Sequence, residues 1–142
     1  MLHAEIMTTD AQIVHCYSLM RLLRPSLLDP ADFLNKVRQQ QAQGYQLMAL
    51  LAADTVVALA GYRYQQNLVH GRFVYVDDLV TDSGRRGQQL GSQLLSAVMQ
   101  AARLEACDHL ILDSGLTNVL AHRFYYRQGL LAQALHFSLA LR

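Results

Sequence analysis

A strand, a glycine-containing loop and a long amphipathic helix follow one another over residues 72–105, and this succession most constrains the fold. Residues 72–81 (RFVYVDDLVT) are rich in β-branched and aromatic side chains, which predicts a strand. The loop DSGRRGQQLG follows at 82–91, and the helix is predicted over about 90–105 because apolar residues recur at helical spacing: Leu90, Leu94, Val98 and Ala102. Residues 109–113 (HLILD) predict a further buried strand. The two strands are therefore expected to be parallel, joined by a right-handed crossover.

The rest of the chain predicts helices and an antiparallel hairpin around this unit. The predicted elements are a strand over 2–7, a helix over 11–23 capped by Asp10, a helix over 30–43 begun by Asp29-Pro30, strands over 45–52 and 55–65, a short helix from Asn118 to Gly129, and one or two strands over 131–141. Only Ala53 and Asp54 separate the two apolar runs, which favours a hairpin. The order β-α-α-β-β-β-α-β-α-β(β) predicts an α/β fold with a mixed, mostly antiparallel sheet flanked by helices.

Composition limits the classes of function. The 142 residues suit a single domain over 1–142, and the 12 basic and 11 acidic residues give a net charge of only +1. Nucleic-acid binding needs a basic surface, so no nucleic-acid partner is expected. No apolar run approaches the roughly 18 residues of a membrane span, and the first residues lack a secretory pattern, so a cytoplasmic protein with no membrane partner is expected. Neither the two cysteines nor the six histidines show metal-ligand spacing, and no metal site is predicted.

The loop before the long helix has the features of an anion site. A helix N-terminus presents unpaired N–H groups and the positive end of the helix dipole, which suit a phosphate or pyrophosphate. Gly87 and Gly91 would let the main chain approach phosphate oxygens, and Arg85 or Arg86 could add charge-assisted bonds. The alternative is a helix start whose glycines only turn the chain.

Two motifs resemble one family, the GCN5-related N-acetyltransferases (GNAT family). Arg86-Gly87-Gln88-Gln89-Leu90-Gly91 resembles the signature Arg/Gln-x-x-Gly-x-Gly/Ala, with Gln89 where the inner glycine is usual. Asn118-x-x-Ala121-x-x-Phe124-Tyr125-x-x-x-Gly129 resembles the second motif, and Tyr75-Val76-Asp77-Asp78-Leu79-Val80 looks like the fourth strand. Within the family, Ala121-His122-Arg123-Phe124-Tyr125 is similar to the motif of aminoalkylphosphonate N-acetyltransferases.

The resemblance implies an acetyl-CoA-dependent N-acetyltransferase, with acetyl-CoA as cosubstrate. The expected acceptor is a primary amine, favoured as a small polar metabolite, and transfer is direct in a ternary complex. The positions that match the cofactor site are Leu79, Val80, Thr81, Arg86, Gly87, Gln88, Gln89, Leu90, Gly91, Ser92 and Asn118. The alternatives are a protein or peptide N-acetyltransferase and a non-catalytic acetyl-CoA-binding module.

The catalytic candidates are one tyrosine and two carboxylates. The resemblance assigns Tyr125 as proton donor to the departing thiolate, and the alternative is a core aromatic. It assigns the main-chain N–H of Val80 to the thioester oxygen. Asp77 or Asp78 is expected to take the proton of the amine, or else to cap a backbone group or pair with an arginine. Neighbours on a regular strand face opposite sides, so only one should reach the substrate unless a bulge intervenes.

Two features bear on partners. Arg63 and Arg72 lie on adjacent predicted strands and could receive an acidic group of the substrate, or form surface ion pairs. The apolar C-terminal segment could complete the sheet of its own chain or pair with a second copy. A homodimer is therefore a further expectation.

Overall fold

A computed structural model describes residues 1–85 and 88–142 and confirms the α/β fold with a mostly antiparallel sheet flanked by helices. The elements in chain order are β1 (Leu2–Ile6), α1 (Asp10–His15), α2 (Tyr17–Leu23), α3 (Pro30–Gln41), β2 (Tyr45–Ala52), β3 (Thr55–Asn67), β4 (Gly71–Thr81), a 3-10 turn (Ser83–Arg85), α4 (Leu90–Leu104), β5 (His109–Leu112) and α5 (Val119–Arg127). They belong to two compact units, Met1–Ile111 and Leu112–Arg142. No helix in the described ranges is long and apolar enough to cross a membrane.

The sheet follows the chain order β1-β2-β3-β4-β5. The pairs β1–β2, β2–β3 and β3–β4 are all antiparallel. The predicted hairpin is confirmed as β2 and β3, which pair from Ala52 and Thr55 outward around Ala53 and Asp54. Ala53 turns the chain with a φ of 52°.

The first unit buries apolar side chains on both sides of the sheet. Tyr45, Leu47, Ala49 and Leu51 alternate along β2 and join one buried cluster with residues of α1, α2 and α3. Met48 and Leu50, which point the other way, are also buried, and α4 packs against β2, β3 and β4. The predicted apolar face of α4 is confirmed, since Leu90, Leu94, Val98 and Ala102 are all buried.

The start of the first helix differs from the expectation. Thr9, rather than Asp10, is the N-cap: its hydroxyl accepts from the Gln12 N–H at 3.1 Å while Gln12 Oε1 accepts from the Thr9 N–H at 3.0 Å. This reciprocal capping box satisfies two N–H groups, whereas Asp10 alone would satisfy one. The predicted single helix over 11–23 is divided into α1 and α2 at Cys16. The start at Asp29-Pro30 is confirmed, with the Asp29 carboxylate accepting from the Asp32 N–H at 2.8 Å.

The strands predicted over 131–141 are not present. Residues 112–142 are all described, and no strand follows α5. The apolar residues of the segment alternate as they would in a half-buried strand, but Leu135, Phe137, Leu139 and Leu141 are 66–90% exposed. Alternation predicts which face of a strand is apolar, but a strand also needs a neighbour to accept and donate its backbone hydrogen bonds.

Candidate active site

The pairing of β3 with β4 is interrupted by one extra residue at the predicted carboxylates. Gly61 lies opposite Asp78 and Tyr62 lies opposite Val76, so Asp77 has no partner residue of its own on β3. This is a β-bulge, which breaks the two-residue alternation of side chains along a strand. The expectation that the two aspartates face opposite sides applies only to a regular strand, and β4 is irregular at this point.

Asp77 is held by a two-point ion pair with Arg63. Arg63 Nε donates to Asp77 Oδ2 at 2.8 Å, and Arg63 Nη2 donates to Asp77 Oδ1 at 2.7 Å. The pair is partly buried, with 30% of the Arg63 and 22% of the Asp77 side chain exposed. The hydrogen bonds to Asp77 raise the pKa of Arg63 above its ordinary value. The guanidinium also lies 5.9 Å from the ring centre of Tyr75.

Asp78 is held by an arginine and a tyrosine that lie far from it in the sequence. Arg24, which follows α2, donates from Nε to Asp78 Oδ1 at 2.8 Å and from Nη2 to the Asp77 carbonyl at 2.8 Å. Tyr45 Oη donates to Asp78 Oδ2 at 2.8 Å. Burial, followed by the charge of Asp78, raises the pKa of Tyr45 far above its ordinary value, so its hydroxyl stays a donor at neutral pH.

Both carboxylates therefore reach one face of the sheet. Tyr45 and Arg63 are directly opposite each other on β2 and β3, and opposite residues present their side chains on the same face. Asp78 contacts Tyr45 and Asp77 contacts Arg63. The bulge thus brings together two groups that regular alternation would separate.

Gly61 makes room for this arrangement. A Cβ on Gly61 would overlap the Tyr45 hydroxyl and come within 2.6 Å of Asp78 Oδ2. The hydroxyl and the carboxylate therefore meet directly above the glycine. No sequence pattern indicates Arg24, Tyr45 or Gly61. Each lies next to Asp78 only in the folded chain, far from it in sequence.

The predicted cofactor residues of the first unit lie at the end of β4 and the start of α4. Leu79 and Val80 are half-buried and Thr81 is exposed, whereas Leu90 is buried and Gly91 and Ser92 are half-buried in the first turn of α4. Gln88 is exposed, and Gln89 is the N-cap of α4. Arg86 and Gly87 lie outside the described residues.

Gln89 adopts the backbone conformation that favours glycine. Its φ is 54° and its ψ is 41°, in the left-handed region, and its side chain makes no capping hydrogen bond. An L-residue there costs roughly 1–2 kcal/mol, which glycine avoids.

The remaining predicted residues lie on α5 in the second unit. Asn118 caps this helix, and its side chain accepts from the Ala121 N–H at 3.4 Å. Tyr125 lies one turn beyond Ala121 and is half-buried, with its ring 5.5 Å from that of Phe124. Burial raises the pKa of Tyr125, which keeps its hydroxyl protonated at neutral pH. Tyr126 is 56% exposed.

A cavity of about 300 Å³ opens beside the Arg63–Asp77 pair. Its lining comes from β3, β4, the turn between them and β5: Arg63, Gln65, Asn67, His70, Phe73, Tyr75 and Ile111. Within residues 1–85 and 88–142, no group of three or more His, Cys, Asp or Glu side chains is arranged to hold a metal ion.

The comparison with protein families matches the model of the acetyltransferase (GNAT) family over residues 16–130. The chain belongs to the GNAT family. It is 30% identical over 126 residues to the uncharacterized N-acetyltransferase YhdJ of Bacillus subtilis (strain 168), covering 88% of each chain. It is also 32% identical over 87 residues to the aminoalkylphosphonate N-acetyltransferase of Salmonella typhimurium, covering 61% of this chain and 56% of that protein.

The solved structures agree with this fold. The chain is similar to AAC(6')-Iy in complex with a bisubstrate analogue of CoA, with a TM-score of 0.85, 16% identity, and coverage of 100% of this chain and 99% of that one. The family resemblance of the sequence is therefore confirmed. As a GNAT member the chain is an acetyl-CoA-dependent N-acetyltransferase, with acetyl-CoA as cosubstrate and amines as acceptors.

We expect Gly61→Ala to destabilise the fold by about 1–3 kcal/mol, because the new methyl group must displace the Tyr45 hydroxyl or the Asp78 carboxylate. Urea unfolding measures the change. Gly115→Ala is the matched control, since among the described residues no heavy atom beyond Gly115 and its chain neighbours lies within 4 Å of the added Cβ. Its effect should stay within about 0.5 kcal/mol. Equal effects of the two changes would show that position 61 is not crowded.

We expect Gln89→Gly to stabilise the fold by up to about 1 kcal/mol, because the relief of the left-handed conformation exceeds the added entropy of the unfolded chain. Ala42→Gly is the control. Ala42 is exposed and has a φ of −63°, so a change to glycine there should cost about 0.4–1 kcal/mol. The free energies of unfolding of both variants test this, and a loss of stability in Gln89→Gly would contradict it.

Proposed function

We propose that the chain, acting as one N-acetyltransferase domain over residues 1–142, transfers the acetyl group of acetyl-CoA directly to the primary amine of a small polar metabolite in a ternary complex. The observation that carries the proposal is the bulge at Asp77, which turns both Asp77 and Asp78 to one sheet face beside a cavity of about 300 Å³. That volume is at the small end of ligand sites, which suits a metabolite better than a protein segment.

The amine must lose a proton before or during attack, because an alkylamine with a pKa near that of lysine, about 10.4, is mostly protonated at neutral pH. Asp77 or Asp78 accepts that proton, directly or through water. The amine nitrogen then bonds to the thioester carbon while the main-chain N–H of Val80 donates to the carbonyl oxygen. The carbon–sulfur bond breaks, and the thiolate takes a proton from the Tyr125 hydroxyl, which is protonated at neutral pH. The proton that the new amide nitrogen loses then returns to the tyrosinate oxygen.

The cofactor is proposed to lie along the end of β4 and the start of α4. The main-chain N–H groups from Arg86 to Ser92 bind the pyrophosphate at the helix N-terminus, and the end of β4 from Leu79 to Thr81 holds the pantetheine arm. Asn118 contributes a hydrogen bond to that arm in addition to its cap of α5.

Two similar proteins support a small acceptor. One acts on aminoalkylphosphonates, and the other, AAC(6')-Iy, was solved with a bisubstrate analogue that carries acetylneamine. The nearly balanced charge of the chain also favours small acceptors, and no nucleic-acid or membrane partner is proposed. Both cysteines are free, which suits the reducing cytoplasm that we propose as its location.

We expect Tyr125→Phe to lower kcat by about 10²–10⁴-fold while calorimetry shows unchanged acetyl-CoA affinity, because the variant lacks only the acidic proton. CoA release from acetyl-CoA is followed with a thiol reagent, using small primary amines and a peptide with a free N-terminus as acceptors. Tyr126→Phe is the matched control and should leave kcat unchanged, since its side chain points about 100° away on the same helix.

The same assay separates the alternatives. Unchanged turnover in Tyr125→Phe, Asp77→Asn and Asp78→Asn would overturn the catalytic roles. Acetyl-CoA binding without turnover of any amine would identify a non-catalytic binding module. A preference for the peptide over every small amine would identify a peptide N-acetyltransferase.

We also propose a homodimer in which the segment 131–142 pairs with a second copy. Its alternate apolar side chains are exposed in the single chain. Pairing would bury these side chains and supply hydrogen-bond partners for the backbone of the segment. Leu139→Asp should then shift sedimentation velocity from dimer to monomer. Ser138→Asp, the same charge on the other side of the segment, should leave a dimer. A wild-type monomer at micromolar concentration would contradict this proposal.

A further inference from the structure

The cavity beside Arg63 is built from alternate residues of two strands. Arg63, Gln65 and Asn67 are spaced two apart along β3, so they share the face of the sheet that carries the carboxylate partners. Phe73 and Tyr75 supply the β4 side of the lining. The cavity therefore continues the same face, immediately beyond the bulge.

Among the described residues, the lining contains both polar and apolar side chains and no acidic one. Arg63 contributes a guanidinium, His70 an imidazole, and Gln65 and Asn67 contribute amides, whereas Phe73 and Ile111 are apolar. The His70 ring is fixed edge-to-face against Phe73, with ring centres 5.5 Å apart. Its backbone N–H donates to Asn67 Oδ1 at 2.7 Å, which orders the turn that closes the cavity. The N–H donors of Arg63, Gln65 and Asn67 suit an anionic group.

Arg63 connects this cavity to the carboxylates. Two of its nitrogens, Nε and Nη2, donate to Asp77, while Nη1 carries two further N–H groups of the five that a guanidinium offers. The same side chain lines the cavity. The Arg63 guanidinium thus contacts both the Asp77 carboxylate, which suits an amine, and the cavity, which suits an anion.

We propose that the acceptor is a short primary amine that carries an anionic group, either a carboxylate or a tetrahedral phosphonate or phosphate. The anionic group binds in the cavity lined by Arg63 and His70, and the amine lies at the carboxylates of the bulge. This inference rests on the proposed function, because it specifies the acceptor of that same site.

Calorimetry tests the inference on the CoA-bound protein with four probes of similar length: β-alanine, 2-aminoethylphosphonate, ethanolamine and 1,3-diaminopropane. We expect either anionic amine to bind at least about tenfold more tightly than ethanolamine, and diaminopropane to bind most weakly. A preference for β-alanine identifies a carboxylate as the anion, and a preference for 2-aminoethylphosphonate identifies a tetrahedral anion. Equal binding of ethanolamine and both anionic amines would overturn the inference.

Two charge variants on β3 localise the effect. Gln65→Glu places a negative charge in the lining and should weaken binding of the preferred anionic amine by about tenfold or more, with little effect on ethanolamine. Gln66→Glu adds the same charge on the opposite face of the strand, opposite Arg72, and should leave both affinities unchanged. Equal weakening by the two variants would overturn the assignment to this cavity.

Turnover measured in parallel separates this inference from the proposed function. Turnover of amines without a preference for anionic ones would support the enzyme and overturn the cavity assignment. Binding of anionic amines that is sensitive to Gln65→Glu, with no turnover, would support the cavity and overturn the proposed catalysis. Failure to bind any of the four amines would overturn the inference, whatever the turnover.

Discussion

The arrangement of the site depends on one extra residue in β4. A regular strand would place Asp77 and Asp78 on opposite faces, and the inserted residue brings both to the face that carries Tyr45 and Arg63. The opposite position on β3 is Gly61, whose missing Cβ leaves room for the Tyr45 hydroxyl. The bulge therefore requires a residue without a Cβ at position 61.

Two adjacent carboxylates on one face would repel each other without compensation. Each has its own arginine, Arg63 for Asp77 and Arg24 for Asp78, and Arg24 also binds the Asp77 carbonyl. Two-point arginine contacts fix orientation as well as charge. Because a partly buried charge without its partner is costly, the arginines stabilise the bulge mainly by preventing that loss. They fix the positions of the two carboxylates.

The sequence predicted what is local. The hairpin, the start of α3 at Asp29-Pro30 and the cap of α5 by Asn118 each depend on neighbouring residues, and the structure confirms them. The partners of Asp78 could not be predicted, because Arg24 and Tyr45 are 54 and 33 residues away and meet it only through the tertiary fold. The prediction of strands over 131–141 is wrong for the opposite reason, because the pattern is local whereas a strand requires a partner distant along the chain.

Gln89 departs from the family motif and has a backbone conformation that favours glycine. At the position where the inner glycine is usual, the glutamine keeps a φ of 54°, so the backbone follows the path that a glycine would favour. The helix α4 begins at the next residue, and its first turn holds Gly91 and Ser92. The glutamine therefore carries the strain of a left-handed L-residue, which lowers the stability of the fold. A loop that binds through its main-chain N–H groups tolerates a side chain that points to solvent. Gln89 is exposed, so its side chain meets this condition.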